Sequence, residues 1–273
     1  VKSALKRRLS FNFIYLSKPF KPGLACLENQ NFSQYCYSTM RSFIIDQMKV
    51  LIVCTNHDSY PTKSGKTGLW LSELTHFYDV MSRRKVLIDI VSPKGGNIPV
   101  DERSLDLKDE INQTYLADSS FMDKLKNSLK PADINPKDYR LIYFTGGNGG
   151  LWDFPDNTEL QEITRSIYEN HGMVTAVCHG VSGLLNVKLS DGSYLVHDKY
   201  VTGYAHVEDT LMSFVSEVPF HLEDLLKERG AHYTKAMIPF VEFIEMDERL
   251  ITGQNPNSAK KVASKALEEL FEK

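Results

Sequence analysis

Met173-Val174-Thr175-Ala176-Val177-Cys178-His179-Gly180-Val181-Ser182-Gly183-Leu184-Leu185 is the stretch from which the rest of the chain is read. A short apolar run ends at a cysteine. A histidine and a glycine follow, and a helix-compatible run begins. Strand, sharp turn and helix with a nucleophile on the turn give this pattern. The tight bend asks for small residues around the nucleophile, and Ala176 and Gly180 stand there. A thiol at a helix start meets free N–H groups, which favour thiolate. A cysteine in isolation reads more simply as a small buried hydrophobe. The flanking strand, histidine and glycine turn the reading towards a nucleophile.

Outward from this elbow, strands and helices alternate. Met48–Thr55, Val86–Val91 and Tyr139–Phe144 are continuous apolar runs, as buried parallel strands are. Helical patterns are expected over Thr67–Met81, Asn157–Asn170, Pro219–Glu228 and Asn257–Glu272. Residues 97–137 are too long for an ordinary connection, so they read as an insertion over one end of the sheet, with a helix near Phe121–Leu129. Tyr200–Tyr204 reads as a strand end, and Val241–Met246 with Leu250–Thr252 as a strand pair. The expected class is α/β, a doubly wound, mostly parallel sheet flanked by helices, in one domain over 48–273. Ligands of such sheets bind at the carboxyl ends of the strands. Cys178, Gly146–Gly150 and the loop after Thr55 all fall there.

Residues 1–47 differ from the rest. Lys2, Lys6, Arg7, Arg8, Lys18, Lys21 and Arg41 face only Glu28 and Asp46. Such a segment reads as a non-native or disordered leader, an added strand or a transit peptide. Cytoplasmic location is expected, or mitochondrial if the leader is a transit peptide. The net charge of −3 gives no reason to expect nucleic acid or a membrane surface as partner. Cys26, Cys36, Cys54 and Cys178 show no paired spacing, so neither a disulfide framework nor a zinc ribbon is indicated. Ser64-Gly65-Lys66-Thr67 lacks the earlier glycine of a phosphate loop, since Tyr60 stands in its place.

Three groups qualify as neighbours of Cys178. Gly146-Gly147-Asn148-Gly149-Gly150 lets backbone N–H groups approach a ligand, so a Gly147 amide and the His179 amide are candidate oxyanion donors. Glu73 sits among Leu69, Leu74 and Phe77, and a buried carboxyl there would hold its proton at neutral pH. His206-Val207-Glu208-Asp209 offers an acid to orient His179, or a base of its own in His206.

These residues carry a resemblance. The chain resembles the ThiJ/PfpI superfamily of class I glutamine-amidotransferase-like proteins, in its glyoxalase III and heat-shock chaperone branch. The matching motifs are Lys66-Thr67-Gly68 with Glu73 and His76, Ser92-Pro93-Lys94-Gly95-Gly96, Gly146-Gly147-Asn148-Gly149, Ala176-Val177-Cys178-His179-Gly180, Val201-Thr202-Gly203-Tyr204 and Ile251-Thr252-Gly253-Gln254-Asn255-Pro256. The resemblance implies a flavodoxin-like sheet with Cys178 on the elbow, His179 beside it and Glu73 near the sulfur. It implies an acid from the 208–209 region as third member, assigned here to Glu208 with Asp209 as the alternative. The implied activity is conversion of methylglyoxal to lactate without glutathione or added cofactor, through a hemithioacetal on Cys178; the ligands of a zinc site found in part of the family are not matched, so no metal ligand is assigned. A holding chaperone with unfolded clients, a protein deglycase and a cysteine peptidase or amidase are the rival activities. A homodimer is implied as well.

Overall fold

The computed structural model describes residues 49–61 and 65–272, so the leader expectation lies outside the described residues. The main sheet holds β1 (Lys49–Val53), β2 (Leu87–Val91), β3 (Tyr139–Phe144), β4 (Met173–Val177), β7 (Ile244–Asp247) and β8 (Leu250–Gly253). Its order is β2-β1-β3-β4-β8-β7, parallel except for β7, which pairs antiparallel with β8 at the edge. The five parallel strands follow the flavodoxin-like order, with the reversal of winding between β1 and β3. β5 (Tyr200–Val201) and β6 (His232–Tyr233) form a separate parallel pair.

Side chains alternate across β1 as a two-residue period requires. Val50 and Ile52 face one core with Leu74, Phe77 and Met81 of α1 (Leu71–Ser82) and Val262 and Ala266 of α8 (Ala259–Glu272). Leu51 and Val53 face the other, with Leu160, Ile163 and Ile167 of α5 (Thr158–Glu169). The insertion carries α2 (Glu110–Ala117) and α3 (Ser119–Lys126), while α4 (Gly150–Asp153) follows the glycine loop. α6 (His206–Leu211) and α7 (Leu222–Glu228) lie between the elbow and β7.

Three expectations need correction. The first helix begins at Leu71 and not at Thr67, because Leu69 is held in extended pairing: its N–H donates to Pro99 O at 2.8 Å and its carbonyl accepts from Asp101 N at 2.9 Å. The insertion holds two helices where one was expected; Asp109 and Asp118 each accept from two backbone N–H groups and cap them. The element after Cys178 is a seven-residue 3₁₀ helix, Cys178–Leu184, and not an α-helix.

The elbow is wedged into the end of β3. A Cβ added at Gly180 would stand 2.4 Å from the Thr145 carbonyl oxygen and 2.6 Å from that of Phe144. Both are backbone atoms of a central strand and its exit, so neither yields cheaply. Gly180→Ala is expected to lower unfolding stability by about 1–3 kcal/mol, the usual cost of overpacking. Urea denaturation of the variant beside the wild type checks this; equal midpoints would contradict it.

Candidate active site

Cys178 stands at the carboxyl end of β4 with φ +57°, in the left-handed region that a non-glycine residue rarely occupies. Such strain costs on the order of 1–3 kcal/mol and persists only where the surroundings impose it. Here the Tyr204 N–H donates to the Cys178 carbonyl at 3.3 Å, and Gly180 locks the next turn. The bend turns the sulfur away from the strand and towards α1.

Glu73 meets it from that helix. The Tyr143 hydroxyl donates to the Glu73 carbonyl at 2.9 Å, and the Phe77 and Tyr143 rings stack 3.6 Å apart, which fixes this turn of α1 over the sheet. The Glu73 side chain is fully buried, and neither carboxyl oxygen has a hydrogen-bond partner of ordinary geometry among the described residues. A Cβ at position 146 would stand 2.1 Å from Glu73 Oε2 and 2.7 Å from Cys178 Cβ, so only glycine lets the two side chains and the loop share this space. Burial pushes the Glu73 carboxyl up to about 8, offset in part by the nearby Cys178 sulfur and Gly146 amide. It therefore carries its proton at neutral pH.

Burial also pushes the Cys178 thiol up, a Glu73 carboxylate would push it further, and the His179 and Gly147 amides act in the opposite direction. Burial thus works against the thiolate expected from a helix start, and it outweighs the two amides. A protonated Glu73 reverses its own contribution, because a neutral carboxyl donates to sulfur instead of repelling its charge. The two amides that favour anionic sulfur belong to the expected oxyanion donors, Gly147 and His179.

His179 is buried, with Nδ1 3.8 Å from Cys178 Sγ and Nε2 3.2 Å from Asp209 Oδ1. Its ring lies 4.4 Å from that of Tyr204. The acid facing His179 is thus Asp209, which corrects the assignment to Glu208. Glu208 is fully buried and occupied elsewhere. It accepts from Ala205 N at 3.1 Å, Phe240 N at 2.7 Å and Asn255 Nδ2 at 2.9 Å. The first bond reaches back to the start of α6, as the acid of a capping box does. Asn255 also donates to Val241 O at 2.9 Å, and Gln254 Oε1 accepts from Ala236 N at 2.8 Å. The Gly253–Pro256 motif therefore ties loops together around Glu208. His206 stacks on His221 at 4.0 Å, and its N–H donates to Glu223.

Sequence reasoning missed Asp153. It accepts from Thr55 Oγ1 at 2.8 Å and from Asn56 N at 2.7 Å, which latches the loop after β1 to the end of the glycine loop. Burial pushes its carboxyl up to about 6, against those hydrogen bonds. No motif marks it; only the polar Thr55-Asn56 pair at a strand exit hinted at a partner.

Cys178, His179 and Gly147 line a cavity of ≈ 430 Å³ with Trp70, Tyr204 and Phe240. Among the described residues, no cluster of three or more His, Cys, Asp or Glu is placed to hold a metal, and no helix is long and apolar enough to cross a membrane.

A buried cysteine on a strained elbow, a histidine–aspartate pair beside it and a protonated glutamate opposite define a cysteine-centred site on a flavodoxin-like α/β sheet. The chain belongs to the DJ-1/PfpI family, whose model matches residues 65–269. It is 33% identical to the glutathione-independent glyoxalase HSP31 of Saccharomyces cerevisiae, across 81% of this chain and 98% of that protein. Among solved structures it is similar to the 24 kDa rapid encystment protein of Francisella tularensis, at TM-score 0.79 and 42% identity over 82% of this chain and 99% of that one. Glyoxalase III of Candida albicans matches at TM-score 0.76 and 26% identity, over 81% and 97% of the two chains.

The raised Glu73 value has a consequence for stability. A carboxyl that binds its proton more tightly in the folded chain than at the ordinary value of 4.5 stabilises fully below that value. The contribution is lost as pH rises through about 8. Glu73→Gln removes this dependence. Between pH 5 and pH 8 the wild type should therefore lose on the order of 3 kcal/mol relative to Glu73→Gln. Chemical denaturation of both proteins at the two pH values measures it, and parallel curves would refute the raised value.

Proposed function

We propose that the protein is a glutathione-independent glyoxalase that converts 2-oxoaldehydes such as methylglyoxal to 2-hydroxy acids such as lactate. The observation that carries this reading is the fully buried Glu73 carboxyl packed against the Cys178 side chain, with His179 Nδ1 3.8 Å from the sulfur. Internal proton transfer needs an acid and a base across one reacting carbon. The relatives named as glyoxalases support the same reading.

The Cys178 sulfur adds to the aldehyde carbon as His179 Nδ1 takes its proton, and Asp209 steadies the imidazolium through Nε2. The new oxyanion is held by the Gly147 and His179 amides and takes from His179 the proton drawn from the thiol, giving a hemithioacetal and a neutral imidazole. His179 then removes the hydrogen of that carbon as a proton. The electron pair shifts into an enediolate whose charge the Glu73 proton offsets. His179 returns the proton to the neighbouring carbon and the hydroxyl proton of the first carbon passes to the enediolate oxygen, which leaves an alcohol at the former ketone and a thioester at the first carbon. Water cleaves the thioester and frees the thiol. Oxidation and reduction balance within the substrate, so no outside oxidant is needed. The burial that raises the Glu73 carboxyl favours His179 over Glu73 as the base.

Lactate formation from methylglyoxal without glutathione should vanish in Cys178→Ala and fall about a hundredfold or more in Asp209→Asn, the scale of a lost acid–base group. Glu208→Gln should lower thermal stability more than it lowers kcat per folded molecule. Lactate production that survives in Cys178→Ala would overturn the scheme.

One observation favours a second activity, a holding chaperone. Met237 and Ile238 are exposed beside the half-exposed Val241, on the loop that carries Phe240 to the cavity. Protection of an aggregating client should survive in Cys178→Ala and drop by half or more in a Met237→Ser, Ile238→Ser double variant, read by light scattering. The reverse pattern would remove this activity.

A further inference from the structure

The cavity over Cys178 is much larger than methylglyoxal. At ~30 Å³ per water, ≈ 430 Å³ would hold about fourteen waters, and a three-carbon aldehyde fills a small part of that. Pockets of this size ordinarily enclose much larger ligands. Its lining mixes apolar and polar groups. Met212, Phe214 and Phe240 are apolar, with the Arg103 guanidinium 4.5 Å from the Phe214 ring. Ser72 and His76 on α1 and Arg103, Asp106, Asp109 and Asn112 of the insertion are polar.

The polar part of this lining is rigid and only partly satisfied. His76 Nε2 lies 2.6 Å from Asp109 Oδ2, which holds both side chains in place. Asn112 is fully buried; its Oδ1 accepts from Thr75 Oγ1 at 2.6 Å, while its amide nitrogen is buried without a partner among the described residues. Asn148, beside Gly147 on the cavity floor, likewise has a buried amide nitrogen without a partner. Both nitrogens are closed to water, so a ligand's hydroxyls would instead meet the accessible Ser72, His76 and Asp106. Arg103 is paired with Asp101 through Nε at 2.8 Å, which cancels its charge. Asp109 is paired with His76, and Asp106 leaves a negative charge on the lining, which disfavours a phosphorylated or carboxylated ligand. Polar groups interleaved with apolar ones suit a neutral chain that carries hydroxyls as well as C–H groups.

We propose that this site also takes sugar-derived 2-oxoaldehydes: neutral six-carbon chains whose aldehyde and ketone meet Cys178 while their hydroxyls bond to the polar groups of α1 and the insertion. The inference rests on the glyoxalase reading above. The chemistry is the same internal redox exchange: the aldehyde carbon is oxidised, its neighbour reduced, and water releases a deoxyaldonic acid. Such substrates arise wherever hexoses or their amine adducts lose water.

The test compares kcat/KM for methylglyoxal, a 3-deoxyhexosulose and phenylglyoxal in the wild type and in Asp106→Leu. Asp106 is exposed, and its Oδ1 accepts only from Lys108 N among the described residues, so its replacement spares the fold. The wild-type value for the hexosulose should lie within tenfold of that for methylglyoxal, or above it. Asp106→Leu should lower the hexosulose value about tenfold more than the phenylglyoxal value. Turnover of methylglyoxal with a hexosulose value more than tenfold lower, or equal losses for hexosulose and phenylglyoxal in the variant, overturns this inference and leaves the glyoxalase reading standing. No turnover of any of the three removes both.

Discussion

A carboxyl group cut off from water, with no ordinary hydrogen bond to either oxygen, is the constraint around which this site is built. Glu73 can be buried there only by keeping its proton, because an unpaired carboxylate in that position is far too costly. The proton in turn decides what the adjacent sulfur does. A carboxylate would hold the thiol protonated; a carboxylic acid is a hydrogen-bond donor to whatever negative charge develops on sulfur or on a bound oxygen. One environment thus sets the state of two groups, and the raised value of Glu73 counts as part of the chemistry.

Keeping the carboxyl dry requires the frame to be rigid on every side. Tyr143 pins the Glu73 turn from below, and Gly146 leaves no side chain between the carboxyl and the Cys178 side chain. Asp153 latches the glycine loop to the exit of β1. On the far side Glu208 gathers Ala205, Phe240 and Asn255, so the segment that carries Asp209 to His179 is fixed by its neighbour in sequence. The flavodoxin-like order brings these pieces together, since β1, β3 and β4 are adjacent and all end at the same edge.

Much of this was legible in the chain. Continuous apolar runs marked β1, β2, β3 and β4 because strands buried on both faces have no polar side to show. Glu73 stood out as a charge on the apolar stripe of α1, and Cys178 by its small neighbours. What stayed hidden depended on contacts between distant segments. The Leu69–Trp70 entry to α1 looks helical by residue type, and the bridge between Leu69 and Val100 keeps it extended. Glu208 and Asp209 are equivalent on paper; which one faces His179 follows from the rotation of a six-residue helix. The first helix of the insertion, α2, has a weak apolar pattern, and its start places Asp109 and Asn112 at the cavity.

The left-handed backbone at Cys178 also restricts which residue can occupy the elbow. At φ +57° a β-branched side chain would press against its own backbone, so valine, isoleucine and threonine are excluded sterically before any question of reactivity arises. Serine and cysteine fit the bend, and of the two only sulfur is a strong nucleophile without a strongly basic partner. The range of nucleophiles open to this fold is therefore narrowed first by the shape of one peptide turn and only afterwards by chemistry. Threonine, a competent nucleophile in other settings, is closed to this scaffold unless the elbow itself is rebuilt.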